Sequence, residues 1–398
     1  MKILVCSPVI PYPATSGLKI RVFNLARQLA REDQVHLFCL SEEPATESQK
    51  EAVREAGLGL TVVSKPVNSL AEKLSIYARR MAGGVPPEFI LSWERDIFTA
   101  LARLGREGFD VALAEHLFMA RYSLVIDCPR VLVLHNIESD LARALAATYP
   151  QPQRAFKRAT AAWSHGYEKR MLSRMQGAVT VTLADRQRLS RMAPSLPAAV
   201  VENGVDCSSY RELLDAPREA AHRLLYIGLM SYESNIDAVG WFAREALPLI
   251  RERYPDTVFT IAGGDPAPAV RALAALDGVE VTGFVEDVRP LYRGHDMLVV
   301  PLRHGGGSRL KILEAFAAGT PVVSTSKGAE GLAAVDGSHL LIADDPAAMA
   351  AAVRRLFDDP ALADALREEA ARLAADRYDW PRLAGALRGF LSGIAGRP

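Results

Sequence analysis

The chain is short of cysteine and spaces the little it has without a pattern. Cys6, Cys39, Cys128 and Cys207 form no C-x-x-C pair, so neither a thiolate metal site nor a disulfide framework is written here. They read as small buried apolar residues. No run of about 18 apolar residues occurs, which excludes a spanning helix. The opening Ile3-Leu4-Val5-Cys6 is too short for a signal-peptide core and leads at once to prolines. It reads as a first buried strand, and the protein as cytoplasmic. Low-complexity segments and solenoid repeats are absent. Net charge is absent too, since 47 Lys+Arg balance 47 Asp+Glu.

What is present is an ordinary globular composition, 49% hydrophobic and 24% charged, on a 398-residue chain too long for one core. The zero net charge hides an asymmetry. Residues 1–205 carry 26 basic against 20 acidic side chains, and residues 206–398 carry 21 against 27. The basic surplus concentrates in 143–191, with ten basic and two acidic residues. Such a patch suits an anionic membrane or acceptor, or is a solvated helix face. No nucleic-acid-binding module accompanies it, so nucleic acid is not expected as a partner.

Short apolar runs alternate with amphipathic stretches. Ile3–Val5, Val35–Cys39, Leu60–Val63, Val111–Ala114, Val131–Leu134 and Val179–Val181 read as buried parallel strands. The pattern restarts at Leu224–Ile227, Val258–Ala262, Glu280–Thr282, Met297–Val300, Pro321–Ser324 and Leu340–Ile342. Between strands, Leu18–Ala30 has helical spacing, at Ile20, Phe23, Asn24, Ala26, Leu29 and Ala30. Gln153–Met175 carries a stripe of Phe156, Ala159, Trp163, Tyr167 and Met171, predicting a surface helix packed by its aromatic face. Two successive series predict two doubly wound α/β domains. The expected division is an acceptor-side domain at 1–205, a donor-side domain at 206–378, and a helix at 379–398 that crosses back to the first. Asp206–His222, charged and containing Pro217, reads as the linker region.

The segment Pro301–Val323 carries the chemistry. A strand runs into Gly305-Gly306-Gly307-Ser308 and then a helix. Glycines let backbone N–H groups approach an anion, and a helix N-terminus adds positive potential. Arg309 and Lys311 place two cations at the same point, making a diphosphate cradle. Glu314, about one turn deeper, suits the paired hydroxyls of a ribose. His304-Gly305-Gly306-Gly307 is also similar to an esterase oxyanion loop, but no G-x-S-x-G nucleophile elbow follows.

The sequence resembles the retaining GT-B glycosyltransferases of the large family-4 group over nearly its whole length. The resemblance rests on Lys2–Cys6 with Pro11-Tyr12-Pro13 and Ser16-Gly17, on Glu202-Asn203-Gly204-Val205-Asp206, on Leu225-Tyr226-Ile227-Gly228, on Ile261-Ala262-Gly263-Gly264 with Val281-Thr282-Gly283-Phe284-Val285, and on the Lys311–Glu314–Gly319–Pro321 segment. It implies two Rossmann-like domains facing across a cleft. It implies transfer of a sugar from a nucleotide-diphosphate sugar to a hydroxyl of a sugar, glycolipid or other acceptor, with retention and with no metal or other cofactor. No Asp-x-Asp pair occurs anywhere in the chain. By the same resemblance Glu314 holds the ribose, Arg309 and Lys311 the diphosphate, Gly17 lies over the diphosphate or donor sugar, and Phe284 and Val285 line the nucleobase pocket. His116 and His135 end strands at the cleft side, and His116 is favoured as the contact to the transferred sugar.

Three polar groups of the family pattern are missing. Gly306 stands where a Glu is usual, Leu229 follows Gly228 where an Arg is usual, and the Lys position falls near Ser234-Asn235. Arg309 and Lys311 are expected to replace the phosphate charges, and the glycine N–H groups the carboxylate. A catalytically degenerate nucleotide-sugar-binding paralogue and a nucleotide-sugar epimerase remain as alternatives. The basic amphipathic stretch Ser69–Met81 is either a surface helix or a contact to the inner face of a membrane, in polysaccharide or glycoconjugate assembly.

Overall fold

The computed structural model describes residues 1–64, 70–91, 94–214, 222–305 and 309–396. The chain forms two compact units, Met1–Glu202 with Leu383–Pro398, and Asn203–Arg382.

The first unit is built on seven parallel strands: β1 (Lys2–Ser7), β2 (Gln34–Ser41), β3 (Gly59–Ser64), β4 (Val111–Glu115), β5 (Arg130–Leu134), β6 (Gly177–Thr180) and β7 (Ala198–Val200). Their order is β3-β2-β1-β4-β5-β6-β7. Leu4, Ala112 and Leu132 on the central strands are fully buried, because helices cover both faces and every position must be apolar. The second unit repeats the plan with β8 (Arg223–Ile227), β9 (Val258–Ala262), β10 (Val279–Gly283), β11 (Met297–Val300), β12 (Val322–Ser324) and β13 (Leu341–Ile342), ordered β10-β9-β8-β11-β12-β13. Each sheet reverses its strand order once, between β1 and β4 and between β8 and β11. In doubly wound sheets that reversal opens a crevice at the carboxyl ends of the strands.

Twelve of these strands coincide with the expected runs. β7 was not foreseen, since three residues of Ala-Ala-Val beside Pro197 carry little apolar signal. The helix Gly17–Leu29 forms as the spacing predicts, and its residues are unevenly covered. Val22, Leu25, Ala26 and Leu29 are buried, and so is Arg21, while Ile20 and Phe23 are only partly covered. Arg21 is drawn inward because its guanidinium donates to the carbonyls of Glu202 (2.7 Å) and Val201 (2.8 Å).

The helix Gln153–Leu172 needs a larger correction. Its aromatic stripe is not packed along its length: Phe156 is 68% exposed and Ala159 is exposed as well. Only the second half is seated, through Ala161, Ser164, Tyr167, Glu168, Met171 and Leu172. Tyr167 stacks on Phe89 with centroids 5.1 Å apart. The region expected as linker is partly ordered, with a 3₁₀ turn Cys207–Tyr210 capped by Asp206 and a helical turn Arg211–Leu214. Its part at 215–221 lies outside the described residues.

The amphipathic stretch is the helix Leu70–Ala82, with Leu74, Tyr77 and Met81 exposed. Ser69 and the side chains of Leu70 and Lys73 lie outside the described residues. Among the described residues, no helix is long and apolar enough to cross a membrane.

Candidate active site

In the second unit the chemistry gathers where β8 and β11 end. β8 ends at Ile227, with Gly228 next, and the helix Leu310–Ala317 starts beyond β11. Two glycines let the backbone close up here. Gly263 has φ +150°, and a Cβ placed on it would lie 1.6 Å from the Gly228 carbonyl oxygen. Gly305 has φ +98° and abuts Ser234, at the start of the helix Glu233–Trp241. No side chain larger than hydrogen fits at the first position, and few L-residues adopt either backbone.

Lys311 enters this corner from the second position of its helix. Its Nζ lies 3.9 Å from the centroid of the Tyr226 ring, and a Cβ on Gly228 would stand 3.1 Å from it. The Tyr226 hydroxyl donates to Asn235 Oδ1 at 2.6 Å, and Asn235 Nδ2 donates to the Leu229 carbonyl at 2.8 Å. Among the described residues no carboxylate lies within 4 Å of the ammonium. Burial pushes Lys311 down to about 7, helped by the neighbouring Arg309 and opposed by Glu314. Glu314 is pushed up to about 7, again chiefly by burial, while the Tyr292 hydroxyl that donates to its Oε2 at 2.8 Å and Lys311 pull it back. The same Tyr292 hydroxyl reaches the Lys311 carbonyl at 3.1 Å, tying the carboxylate to its own helix.

Arg309 behaves differently from Lys311. Its side chain is 7% exposed, donates to the Lys327 carbonyl at 2.8 Å, and lies 3.7 Å from Glu330. Ser308 and the glycines Gly306 and Gly307 lie outside the described residues. Phe284 follows β10 and is 69% exposed, with Val285 partly covered behind it. A Cβ on Gly264 would touch Phe284 at 3.7 Å and Leu229 at 3.8 Å, so these three residues line one apolar shelf.

In the first unit, Gly17 opens the helix after β1, and His116 follows β4. His116 takes φ 89°, rare for a residue with a side chain, and so turns its ring over the next helix. Its Nδ1 accepts the Phe118 N–H at 3.2 Å, which leaves the proton on Nε2, 3.0 Å from Glu138 Oε1. His135 follows β5, and its Nε2 lies 3.0 Å from Glu115 Oε2. The two imidazoles sit 6.4 Å apart, centroid to centroid. Glu168 fixes this corner from beneath. Its carboxylate accepts the backbone N–H groups of Glu138 (3.1 Å) and Ser139 (3.3 Å) and the Ser139 hydroxyl (2.6 Å).

The structure therefore brings Lys311, Glu314 and Gly305 together in one unit, and His116 and His135 in the other. Sequence reasoning missed Tyr226, Tyr292, Asn235, Glu115, Glu138 and Glu168. Tyr226 reads as part of its strand run, and nothing in local spacing links Tyr292 to Glu314. Glu138, three residues after His135 at the start of a helix, was the one available signal.

Two Rossmann-like units on one chain are the GT-B architecture. Residues 15–209 match the description Glycosyltransferase Family 4, and residues 221–359 match Glycosyl transferases group 1. The chain belongs to this family and is a glycosyltransferase. It is 32% identical over 285 residues to glycogen synthase of Mycobacterium tuberculosis, covering 65% of this chain and 67% of that one. It is 28% identical to the GDP-mannose-dependent alpha-(1-6)-phosphatidylinositol monomannoside mannosyltransferase of Mycolicibacterium smegmatis, over 66% of this chain and 78% of that one. Among solved structures it is similar in fold to Anabaena HepE in complex with UDP and glucose (TM-score 0.67, 16% identity, 98% and 99% of the two chains). Sucrose-phosphate synthase from Thermosynechococcus elongatus is also similar (TM-score 0.70, 16% identity, 100% of both).

Proposed function

We propose that this chain transfers a sugar from a nucleotide-diphosphate sugar to an acceptor hydroxyl, with retention at the anomeric carbon and without a metal ion, in polysaccharide or glycoconjugate assembly. The observation that carries the reading is the Lys311 ammonium at the carboxyl end of β8, with Glu314 on the same helix. In this reading Lys311 takes the diphosphate and Glu314 the ribose hydroxyls. Arg309, held by the Lys327 carbonyl, adds positive potential behind them. Gly305, Gly306, Gly307 and Ser308 offer backbone donors, and Gly17 covers the diphosphate. Phe284 and Val285 receive the base, and His116, with His135 beside it, contacts the transferred sugar. The relatives named for glycogen synthesis and for GDP-mannose-dependent transfer, and the UDP-bound neighbour, support a nucleotide-sugar donor.

The chemistry asked of the protein is modest. The bond from the anomeric carbon to the diphosphate oxygen breaks. The acceptor oxygen attacks from the same face, and its proton passes to the departing diphosphate. Fixed positive charge beside that oxygen stabilises the leaving group, and positioning supplies the rest.

A thermal-shift panel of UDP, GDP, ADP and dTDP, with and without a chelator, tests the donor half. A ligand at a hundred times its dissociation constant stabilises the fold by about 2.7 kcal/mol. One base should stand out, be unaffected by chelator, and be lost in Glu314→Ala. The glycine at position 306 favours a second reading, a donor-binding protein without turnover. Slow release of free sugar from the bound donor would eliminate it. Peripheral membrane contact through the exposed Leu74, Tyr77 and Met81 beside Arg79 is part of the same proposal. If flotation with anionic liposomes leaves the protein in the soluble fraction, that part is wrong.

A further inference from the structure

The chain that leaves β11 lies along a helix of its own unit. Val300 ends the strand, and Pro301 and Leu302 stay buried as the backbone turns out. The buried Thr325 hydroxyl donates to the Leu302 carbonyl there. The next three residues each meet the helix Glu233–Trp241. Arg303 sits over the Trp241 ring, 5.6 Å from its centroid. It also makes a two-point pair with Asp237, Nε to Oδ2 at 3.0 Å and a terminal nitrogen to Oδ1. His304 Nε2 lies 3.8 Å from Asp237 Oδ2. Gly305 abuts Ser234, so closely that a Cβ on it would stand 3.0 Å from the serine Cβ. Ser234, Asp237 and Trp241 are spaced i, i+3, i+7, which is one stripe of a helix. Residues 303–305 therefore run down that stripe toward the positive end of the helix. An ordinary exposed ion pair is worth little. This one is two-pronged and backed by an aromatic face, which fixes the plane of the guanidinium and ties loop to helix.

We propose that Asp237 is a positioning residue for the donor diphosphate. By pinning Arg303 it sets where residues 303–305 lie on the helix, and so where the run Gly305-Gly306-Gly307 meets the phosphates. This role rests on the nucleotide-sugar reading and adds to it a residue that touches no substrate. Simple charge arithmetic points the other way. A carboxylate near a diphosphate repels it, so by Coulomb's law alone Asp237→Asn strengthens binding. Acting through Arg303, the same substitution weakens it.

Titration calorimetry on the full chain separates the two. UDP, GDP, ADP and dTDP identify the diphosphate that binds, and the corresponding nucleoside serves as the probe without phosphates. Asp237→Asn and Arg303→Leu should each weaken the diphosphate at least about fivefold, and the double variant no further than the weaker single one. Nucleoside affinity should change less than about twofold in all three, since the base does not meet this loop. Arg303→Lys keeps the charge but not the planar two-point pair, and should behave as Arg303→Leu. Asp237→Glu keeps a carboxylate for the guanidinium and should restore most of the affinity. Both side chains are partly exposed, so the urea midpoints should match the parent's. Asp237→Asn binding the diphosphate as tightly as the parent, or tighter, would overturn the role and leave the donor site standing. Additive losses in the double variant would overturn it as well, and so would an equal loss for the nucleoside, which marks general damage to the unit. A parent that binds none of the four nucleotides removes the donor reading itself, and this role with it.

Discussion

The Lys311 ammonium lies 3.9 Å from the centroid of the Tyr226 ring, and the hydroxyl of that tyrosine is held by Asn235 at 2.6 Å. The cation is thus fixed by an aromatic face on the first strand of its sheet. Asn235 stands in the stretch where the family pattern has a lysine. Lys311 comes from a different element, and the tyrosine keeps it near the end of β8.

The ring, and not the hydroxyl, should matter most to nucleotide binding. A cation–π contact is worth about 1 kcal/mol, or roughly fivefold in affinity. Tyr226→Phe should bind the preferred nucleoside diphosphate nearly as well as the parent, Tyr226→Leu about fivefold less well, and Lys311→Met at least tenfold less well. Calorimetry on the three variants checks the order.

The pH dependence of that binding follows from two opposed ionisations. Lys311, pushed down to about 7, loses its positive charge as pH rises through 7, so affinity for the diphosphate falls on the alkaline side. Glu314, pushed up to about 7, is a carboxyl below that pH and accepts ribose hydroxyls poorly, so affinity falls on the acid side as well. The free protein should bind best near neutrality, with limbs of up to about tenfold per pH unit. Lys311→Arg should flatten the alkaline limb, because arginine stays charged. Glu314→Gln should flatten the acid one.

His116 holds a backbone conformation that suits glycine, at φ 89°. Replacements by Ala and by Gly both remove the imidazole and its bond to the Phe118 N–H. They differ in strain, which costs about 1–3 kcal/mol for a side chain in such a region. Urea unfolding should find His116→Gly more stable than His116→Ala by about 1 kcal/mol or more, with sugar transfer impaired in both. Equal stabilities would show that the strain is not there.

The neighbouring glycines 263 and 264 should respond very differently to the same substitution. Gly263→Ala drives a methyl into the Gly228 carbonyl and should cost at least about 3 kcal/mol. Gly264→Ala meets Phe284 and Leu229 at ordinary contact distance and should leave the unfolding midpoint nearly unchanged.

The fold was legible because fully buried parallel strands must be almost wholly apolar, and such runs stand out between amphipathic stretches. Legibility failed where that rule weakens. β7, at three residues, has too little side chain to announce itself. The helix Gln153–Leu172 has apolar residues at helical spacing, yet Phe156 is left in solvent, since periodicity marks a face without saying whether anything packs on it. In the candidate site, Lys311 and Glu314 were legible from a helix following a glycine run. The tyrosines packed against them were not. Tyr226, on β8, and Tyr292, on the helix Arg289–Arg293, meet them only through tertiary packing of residues distant in sequence. Arg309 and Lys311 looked equivalent as neighbouring cations, but one is tied down by the Lys327 carbonyl and the other rests on a ring.

The first unit is discontinuous: Leu383–Pro398 pack with Met1–Glu202. Arg388 bonds Asp33 at 2.8 Å, and Phe390 and Ile394 crowd Gly177 on β6. During synthesis every strand of the first sheet emerges before the helix that covers Gly177, and the whole second unit is made in between. The first unit is therefore completed only after the second has been made, and β6 waits for its cover until the helix bearing Phe390 and Ile394 has emerged.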